Sequence, residues 1–379
     1  MKKILFAALA IVALTGVLGS CQSEKTQISI TPQSSIESSQ ESFADSSVET
    51  SEESPEQKID NMLENEHFLG VAFAVKNGEV IYDKSFNPKD DGQLFDSKTV
   101  FRIASVTKQF TAGAVMLLQE QGKLSVNDTL DKYFPDYRYA KEITLHHLLC
   151  MRSGIKNYTD LIMYAQTEDD IQHRLTDNAE QNKAAIMDLV FQQELNFTPD
   201  EKYKYSNSNY FLLADIIRQV SGMTYEEYLT ENIFKPLHMT ATGFYDSYEL
   251  QNTVIAQPTS SVQDYFNLPA MSFGAGDILS NAEDLLKWLK TFEGGSIFSD
   301  DSIQAMTTNY SGDNDSEEYG YGLMIKSDGI YHGGNLPSYT AAVYTSPKNK
   351  YSVILLSNEA SAKLITFMNQ IRYELCENE

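Results

Sequence analysis

Strand-like alternation sits at the two ends of residues 55–379 and is missing from the stretch between them, which leaves few architectures open. Residues 68–75 and 80–86 flank Lys76-Asn77-Gly78-Glu79, and Asn-Gly between two such runs predicts a hairpin. Four more strand-like runs, 321–326, 330–333, 339–345 and 351–356, lie near the other end. A helix with Leu364, Met368, Ile371 and Leu375 on one face follows them. The middle reads as helix. Residues 103–121 place Ala112, Val115, Met116 and Leu118 inward and close at Gly122, and residues 208–220 end before Gly222. Thr224 with Glu227, and Ser280 with Glu283, have capping-box spacing. The two ends are expected to share one antiparallel β-sheet flanked by helices, with the middle as a helical lobe: an α+β fold.

The residues before 55 read differently. Lys2 and Lys3 precede an apolar run over residues 4–17, too short to favour a spanning helix. Leu18-Gly19-Ser20-Cys21 then resembles a bacterial lipobox, so residues 1–21 are expected to be a lipoprotein signal peptide with Cys21 the lipidated, mature N-terminus. Residues 22–54 hold 14 Ser or Thr and seven acids against the single Lys25. Such a segment cannot offset its ordering entropy by burial and is expected to be a disordered tether. Residues 55–379 are expected to be one compact unit, with no second Ser- or Pro-rich linker dividing them. The protein is therefore expected at the cell membrane, lipid-anchored on the extracytoplasmic face.

The net charge of −24 excludes a nucleic-acid partner, because phosphate binding needs clustered Lys and Arg and no basic stripe is present. Three cysteines exclude a disulfide framework. Cys150 and Cys376 are expected to be buried thiols rather than a pair.

Three short motifs carry the chemistry. Ser105-Val106-Thr107-Lys108 opens a predicted helix, where positions i and i+3 share a face and bring the amine to the hydroxyl. A serine becomes nucleophilic when a neighbouring base takes its proton. Tyr205-Ser206-Asn207 precedes the second helix. Tyr205 beside a lysine is expected to be partly deprotonated and to act as general base, with Asn207 orienting the lysine or a substrate amide. His332-Gly333-Gly334 ends a predicted strand, where glycines let a substrate backbone approach. The amide of Asn335 is expected to pair with that of Ser105 as an oxyanion hole.

In this order, S-x-x-K, Y-x-N and H-x-G resemble the motifs of the penicillin-recognising serine hydrolases, which include class C β-lactamases, serine D-Ala-D-Ala carboxypeptidases and related esterases. The segments ITLHHLLCMRSGI, YSNSNYFLLADIIRQVSG, IFKPLHMTATGF and GAGDILSNAEDLLKWL resemble that family too, over roughly residues 57 to 375. The resemblance implies Ser105 as nucleophile, Lys108 and Tyr205 in proton transfer, and Asn207, His332, Gly334 and Asn335 around the substrate or the base. It implies no cofactor. It also implies a small-molecule or peptidoglycan-type substrate attacked through an acyl-enzyme.

Three positions depart from the family pattern. His332-Gly333-Gly334 stands where class C β-lactamases have Lys-Thr-Gly, so the hydroxyl and fixed cation that hold a substrate carboxylate are missing. That points toward a peptidase or esterase rather than an efficient β-lactamase. Cys150-Met151 and Asp200 also depart, the latter where relatives carry glycine, and both are expected to reshape loops. The alternative to an enzyme is a binding or sensor lipoprotein that keeps the fold. His146-His147 lacks metal-site spacing, and Gly274-Ala275-Gly276 lacks the third glycine of a dinucleotide loop.

Overall fold

The computed structural model describes residues 53–87, 94–164, 171–245, 247–258, 267–360 and 363–377. Cys21, its signal segment and all but the last two residues of the tether lie outside them. The described residues hold nine strands: β1 (Gly70–Lys76), β2 (Glu79–Phe86), β3 (Phe101–Arg102), β4 (Gly243–Phe244), β5 (Ile278–Ser280), β6 (Met324–Lys326), β7 (Gly329–Leu336), β8 (Tyr339–Ser346) and β9 (Tyr351–Ser357). Six form one sheet in the order β2-β1-β9-β8-β7-β6, with every pair antiparallel. The first hairpin thus lies beside the last strand of the chain, as the alternation predicts. Its turn uses Asn77 at φ 53° and Gly78 at φ 85°, the left-handed pair that a two-residue hairpin loop requires. The third run is shorter than expected, with only residues 324–326 in β6. β7 continues through its glycines to Leu336.

Period-two alternation sorts the sheet into two faces. Val71, Phe73 and Val75 of β1, Ala341 and Val343 of β8, and Ile354 and Leu356 of β9 face the larger core. Ala72, Ala74, Ala342, Tyr344, Val353 and Leu355 face a second cluster. Two helices, one just before the first strand and one after the last, cover this second face. α1 (Pro55–Asn65), capped by a Ser54–Gln57 box, contributes Ile59 and Leu63. The C-terminal helix (Leu364–Arg372) contributes Leu364, Phe367, Met368 and Ile371.

The lobe lies on the other face. Its central helix α2 (Thr107–Glu120) is buried from Thr107 to Leu118. Phe110 of α2 stacks on Trp288 at 4.2 Å, and Trp288 Nε1 donates to Gln109 Oε1 at 2.7 Å. The helix at Asn207–Ser221 packs beside α2 and ends at a left-handed Gly222. The Thr224–Glu227 capping box forms. The box expected at Ser280 does not. Ser280 belongs to β5, and its hydroxyl pairs with Thr242, so Asn281 caps the next helix by accepting from the amide of Asp284. Cys150 and Cys376 are both buried thiols.

Candidate active site

The three motifs converge where the sheet meets the lobe. Ser105 occupies a single 3-10 turn, Ala104–Val106, that leads directly into α2. Ala104 has φ +47°, a conformation that costs a residue with a Cβ, so packing around the turn must hold it there. β7 provides that packing: a Cβ built on Gly334 would lie 2.5 Å from Ile103 O and 2.7 Å from Ser105 N. Glycine is required here for space, since only a bare backbone lets β7 reach the Ser105 turn.

One turn of helix beyond Ser105, Lys108 is fully buried. Its Nζ donates to Ser105 Oγ at 3.0 Å, to Asn207 Oδ1 at 2.8 Å and to Ala275 O at 2.7 Å. Three acceptors match the three N–H bonds of an ammonium. Burial still disfavours the charge and holds the Lys108 pKa well below 10.5, with Asp277 opposing in part. In its neutral form the amine keeps two N–H donors for Asn207 Oδ1 and Ala275 O and turns its lone pair to Ser105 Oγ, where it can accept the serine proton.

Tyr205 corrects the sequence-based expectation. Burial raises its pKa above the usual phenol value, and its hydrogen bond with Ser105 offsets only part of that. Lys108 Nζ lies over the face of its ring, 4.9 Å from the centroid. A cation over the ring face does little to stabilise charge on the oxygen, so Tyr205 is a neutral phenol at rest and not a phenolate.

Asn207 is settled by its partners. Its Oδ1 accepts from Lys108 and its Nδ2 donates to Thr159 Oγ1 at 3.1 Å, so it positions the lysine. His332 is buried at 1% exposure beside Lys108, and these two influences lower its pKa to about 3. It is therefore a neutral imidazole at physiological pH. Asn335 is exposed on β7 one residue beyond Gly334, opposite Thr340.

Gly333 requires a second correction. It pairs with Ala342, on the face away from the lobe, and a Cβ there would lie 2.9 Å from Ile365 Cδ1. A threonine at 333 would aim its hydroxyl at the C-terminal helix and not at the serine. Gly333→Thr should therefore fail to deliver the roughly tenfold or greater gain that a new charge-assisted hydrogen bond brings. Chromogenic cephalosporin kcat/KM on both proteins is the check, and a tenfold rise would return that hydroxyl to the substrate side.

The two loop departures have physical reasons. Asp200 has φ +69° and Met151 φ +62°, and the first explains why glycine suits that position. Asp200 accepts from Arg152 Nε at 2.7 Å. Met151 Sδ accepts from the Ser206 amide at 3.4 Å.

Sequence reasoning missed a second layer of support. Arg152 Nη1 donates to Asp315 Oδ2 at 2.8 Å, and Asp315 Oδ1 accepts from the amide of Tyr203 at 3.0 Å, two residues before Tyr205. It also missed Tyr319, whose hydroxyl lies 3.2 Å from His332 Nε2. These residues are far apart in the chain, and no spacing rule links them.

A serine hydroxyl held against a buried amine, beside a phenol and a strand edge, is the equipment of acyl transfer. The beta-lactamase family model matches residues 55–367. The chain belongs to that family of serine hydrolases. PbpX of Bacillus subtilis (strain 168) is 32% identical over 330 residues, which span 85% of this chain and 79% of PbpX. An octameric penicillin-binding protein homologue from Pyrococcus abyssi has a TM-score of 0.67 at 29% identity, covering 80% of this chain and 73% of its own. The D-amino acid amidase of Ochrobactrum anthropi shares the fold, with a TM-score of 0.69 at 20% identity over 86% of this chain and 99% of the amidase.

Proposed function

We propose that this serine hydrolase acts through an acyl-enzyme on Ser105 and cleaves a cell-wall peptide or an ester, with D-amino acid derivatives the favoured class. The observation that carries this reading is the 3.0 Å contact between the Ser105 hydroxyl and a buried Lys108 of lowered pKa. The neutral amine takes the Ser105 proton as Oγ attacks the carbonyl. Tyr205, a neutral phenol in hydrogen-bonding reach of Ser105, donates its proton to the leaving group and regains one from the Lys108 ammonium, so the proton taken from Ser105 ends on the leaving group. The amides of Ser105 and Asn335 receive the oxyanion. Water then attacks the acyl-enzyme and releases the acid.

The absence of a fixed cation on β7 supports esters and amides over β-lactams. His332 is neutral, and a substrate carboxylate gains little from it. A structural neighbour named as a D-amino acid amidase fits the same class. The test is covalent mass gain of the full chain with a fluorophosphonate, followed by kinetics on p-nitrophenyl esters, D-Ala-D-Ala peptides, D-amino acid amides and a chromogenic cephalosporin. Cephalosporin turnover faster than every ester and amide would overturn the substrate assignment.

The enzyme is further proposed to work outside the cytoplasm, held by lipid on Cys21. Each buried CH₂ contributes about 0.8 kcal/mol, and stable anchoring takes two chains or more. Cys21→Ser is expected to shift the protein out of the detergent phase or leave an unprocessed precursor. A fully processed Cys21→Ser protein that still partitions with detergent would refute the anchor.

A further inference from the structure

We infer that Asp277 is a positioning residue for the general base, because its carboxyl closes the turn that offers the carbonyl of Ala275 to Lys108. Residues 274–278 run alongside α2 and are tied to it at three points. Thr111 Oγ1 donates to Gly274 O at 2.7 Å, Lys108 Nζ donates to Ala275 O at 2.7 Å, and the amide of Ile278 donates to Thr107 Oγ1 at 3.2 Å. Inside the turn, Asp277 Oδ2 accepts from the amide of Gly274 at 3.1 Å. That bond spans Ala275 and Gly276, so it fixes the peptide whose oxygen the amine uses.

The other carboxyl oxygen, Oδ1, is shut away from solvent and has no hydrogen-bond partner among the described residues. A buried acceptor left unpaired is costly, more so when it carries charge, and in a native structure it calls for a reason. The reason here is electrostatic. The proton that Lys108 takes from Ser105 creates an ammonium in a fully buried site, and Asp277 is the negative charge that favours it. Burial raises the Asp277 carboxyl to about 7, so near neutral pH it titrates as one member of a pair with the amine.

The groups facing this pair come from several elements. Arg102 of β3 favours the Asp277 carboxylate, and Glu226, on the helix at Tyr225–Leu229, opposes it. The phenols of Tyr158 and Tyr225 also feel Asp277, and burial keeps both neutral. Around Lys108 lie the neutral His332 and the rings of Tyr205 and Tyr210, whose centroids are 4.9 and 5.7 Å from Nζ. None of these replaces the anion at Lys108.

With Lys108 as the base of the proposed reaction, on which this inference rests, two substitutions separate geometry from charge. Asp277→Asn keeps an acceptor for the Gly274 amide and removes the charge. Asp277→Ala removes both. The experiment is the rate of fluorophosphonate labelling of the full chain in detergent as a function of pH, with ester kcat and KM measured beside it. Losing the anion lowers the pKa of Lys108, so the free amine appears at lower pH. In Asp277→Asn the rising limb should move to lower pH by about one unit, with the high-pH rate within about threefold of wild type. In Asp277→Ala the limb should move the same way, and the high-pH rate should drop about tenfold, in kcat rather than KM. Rescue of the rate but not of the limb by the conservative variant is a signature that general packing does not give.

A limb in Asp277→Asn that stays in place or moves to higher pH would overturn the inference. So would equal losses of rate in the two variants. If Asp277→Ala does not fold, the limb of Asp277→Asn still decides. A wild type that takes no label would end the Ser105 reading and this inference with it, whereas a labelled wild type with an unmoved limb in Asp277→Asn ends the inference alone.

Discussion

Ser105→Ala is expected to abolish fluorophosphonate labelling and turnover while leaving the fold intact. The side chain is half-buried and its hydroxyl accepts one hydrogen bond from Lys108, so the stability change should stay within about 1 kcal/mol. Lys108→Ala is expected to cut ester kcat by about 10²–10⁴, the usual range for a group that moves the proton. The pH dependence distinguishes a base from a structural lysine. Burial destabilises the ammonium, so the pKa is lowered and the free amine exists at pH values where an exposed lysine is charged. Activity should therefore rise with pH along a limb centred well below 10.5. His332 adds no limb between pH 5 and 9, because its pKa is lowered to about 3. Wild-type turnover by Ser105→Ala on any substrate would end the nucleophile assignment. A limb at or above 10.5 would remove Lys108 from the role of base.

The parts of this architecture that were legible in the sequence are those with local causes. Asn77-Gly78 specifies a turn that only left-handed residues make, and the hairpin follows. The Thr224–Glu227 box and the Gly222 stop are likewise local. Strands of two or three residues give no alternation to read, so the β3-β5-β4 sheet went unseen even though β3 leads into the Ser105 turn. The same cause displaced the helix cap from Ser280 to Asn281. α1 follows directly on the polar tether and buries only Ile59 and Leu63, which leaves a weak signature.

The site divides in the same way. Residue types and spacing marked Ser105, Lys108, Tyr205 and His332, because acyl transfer needs a nucleophile and proton carriers. Their protonation states were not legible. Those depend on burial and on partners from distant segments, and burial reversed the expectation for Tyr205. The face of each β7 residue was readable in principle from period two, but only relative to a register that sequence does not supply. That register separates Gly333 from Gly334, and it makes the two adjacent glycines the sharpest test of how the strand supports the Ser105 turn.

Gly334→Ala is expected to damage catalysis far more than its single added methyl suggests. The new Cβ would meet Ile103 O at 2.5 Å, Ser105 N at 2.7 Å and Ala104 Cβ at 2.9 Å. Two of these are backbone atoms, so no rotamer change makes room. Either β7 or the Ser105 turn has to move, and the turn is already held at the unfavourable φ of Ala104. Overpacking of this kind costs about 1–3 kcal/mol of stability. The catalytic loss should be larger in proportion, since a shift of roughly 1 Å at a reacting group can cost about 10²-fold in rate. The methyl also crowds the Ser105 amide proposed to receive the oxyanion. Gly333→Ala is the matched control, one residue away on the opposite face. Its Cβ would meet Ile365 Cδ1 at 2.9 Å, the end of a flexible side chain that can turn aside. Ester kcat should fall by about two orders of magnitude in Gly334→Ala and by less than about threefold in Gly333→Ala, with both proteins folded by circular dichroism. Equal losses in the two variants would mean that the strand tolerates neither methyl for reasons of general packing. Wild-type kcat in Gly334→Ala would show that the close approach of β7 does not set the geometry of Ser105.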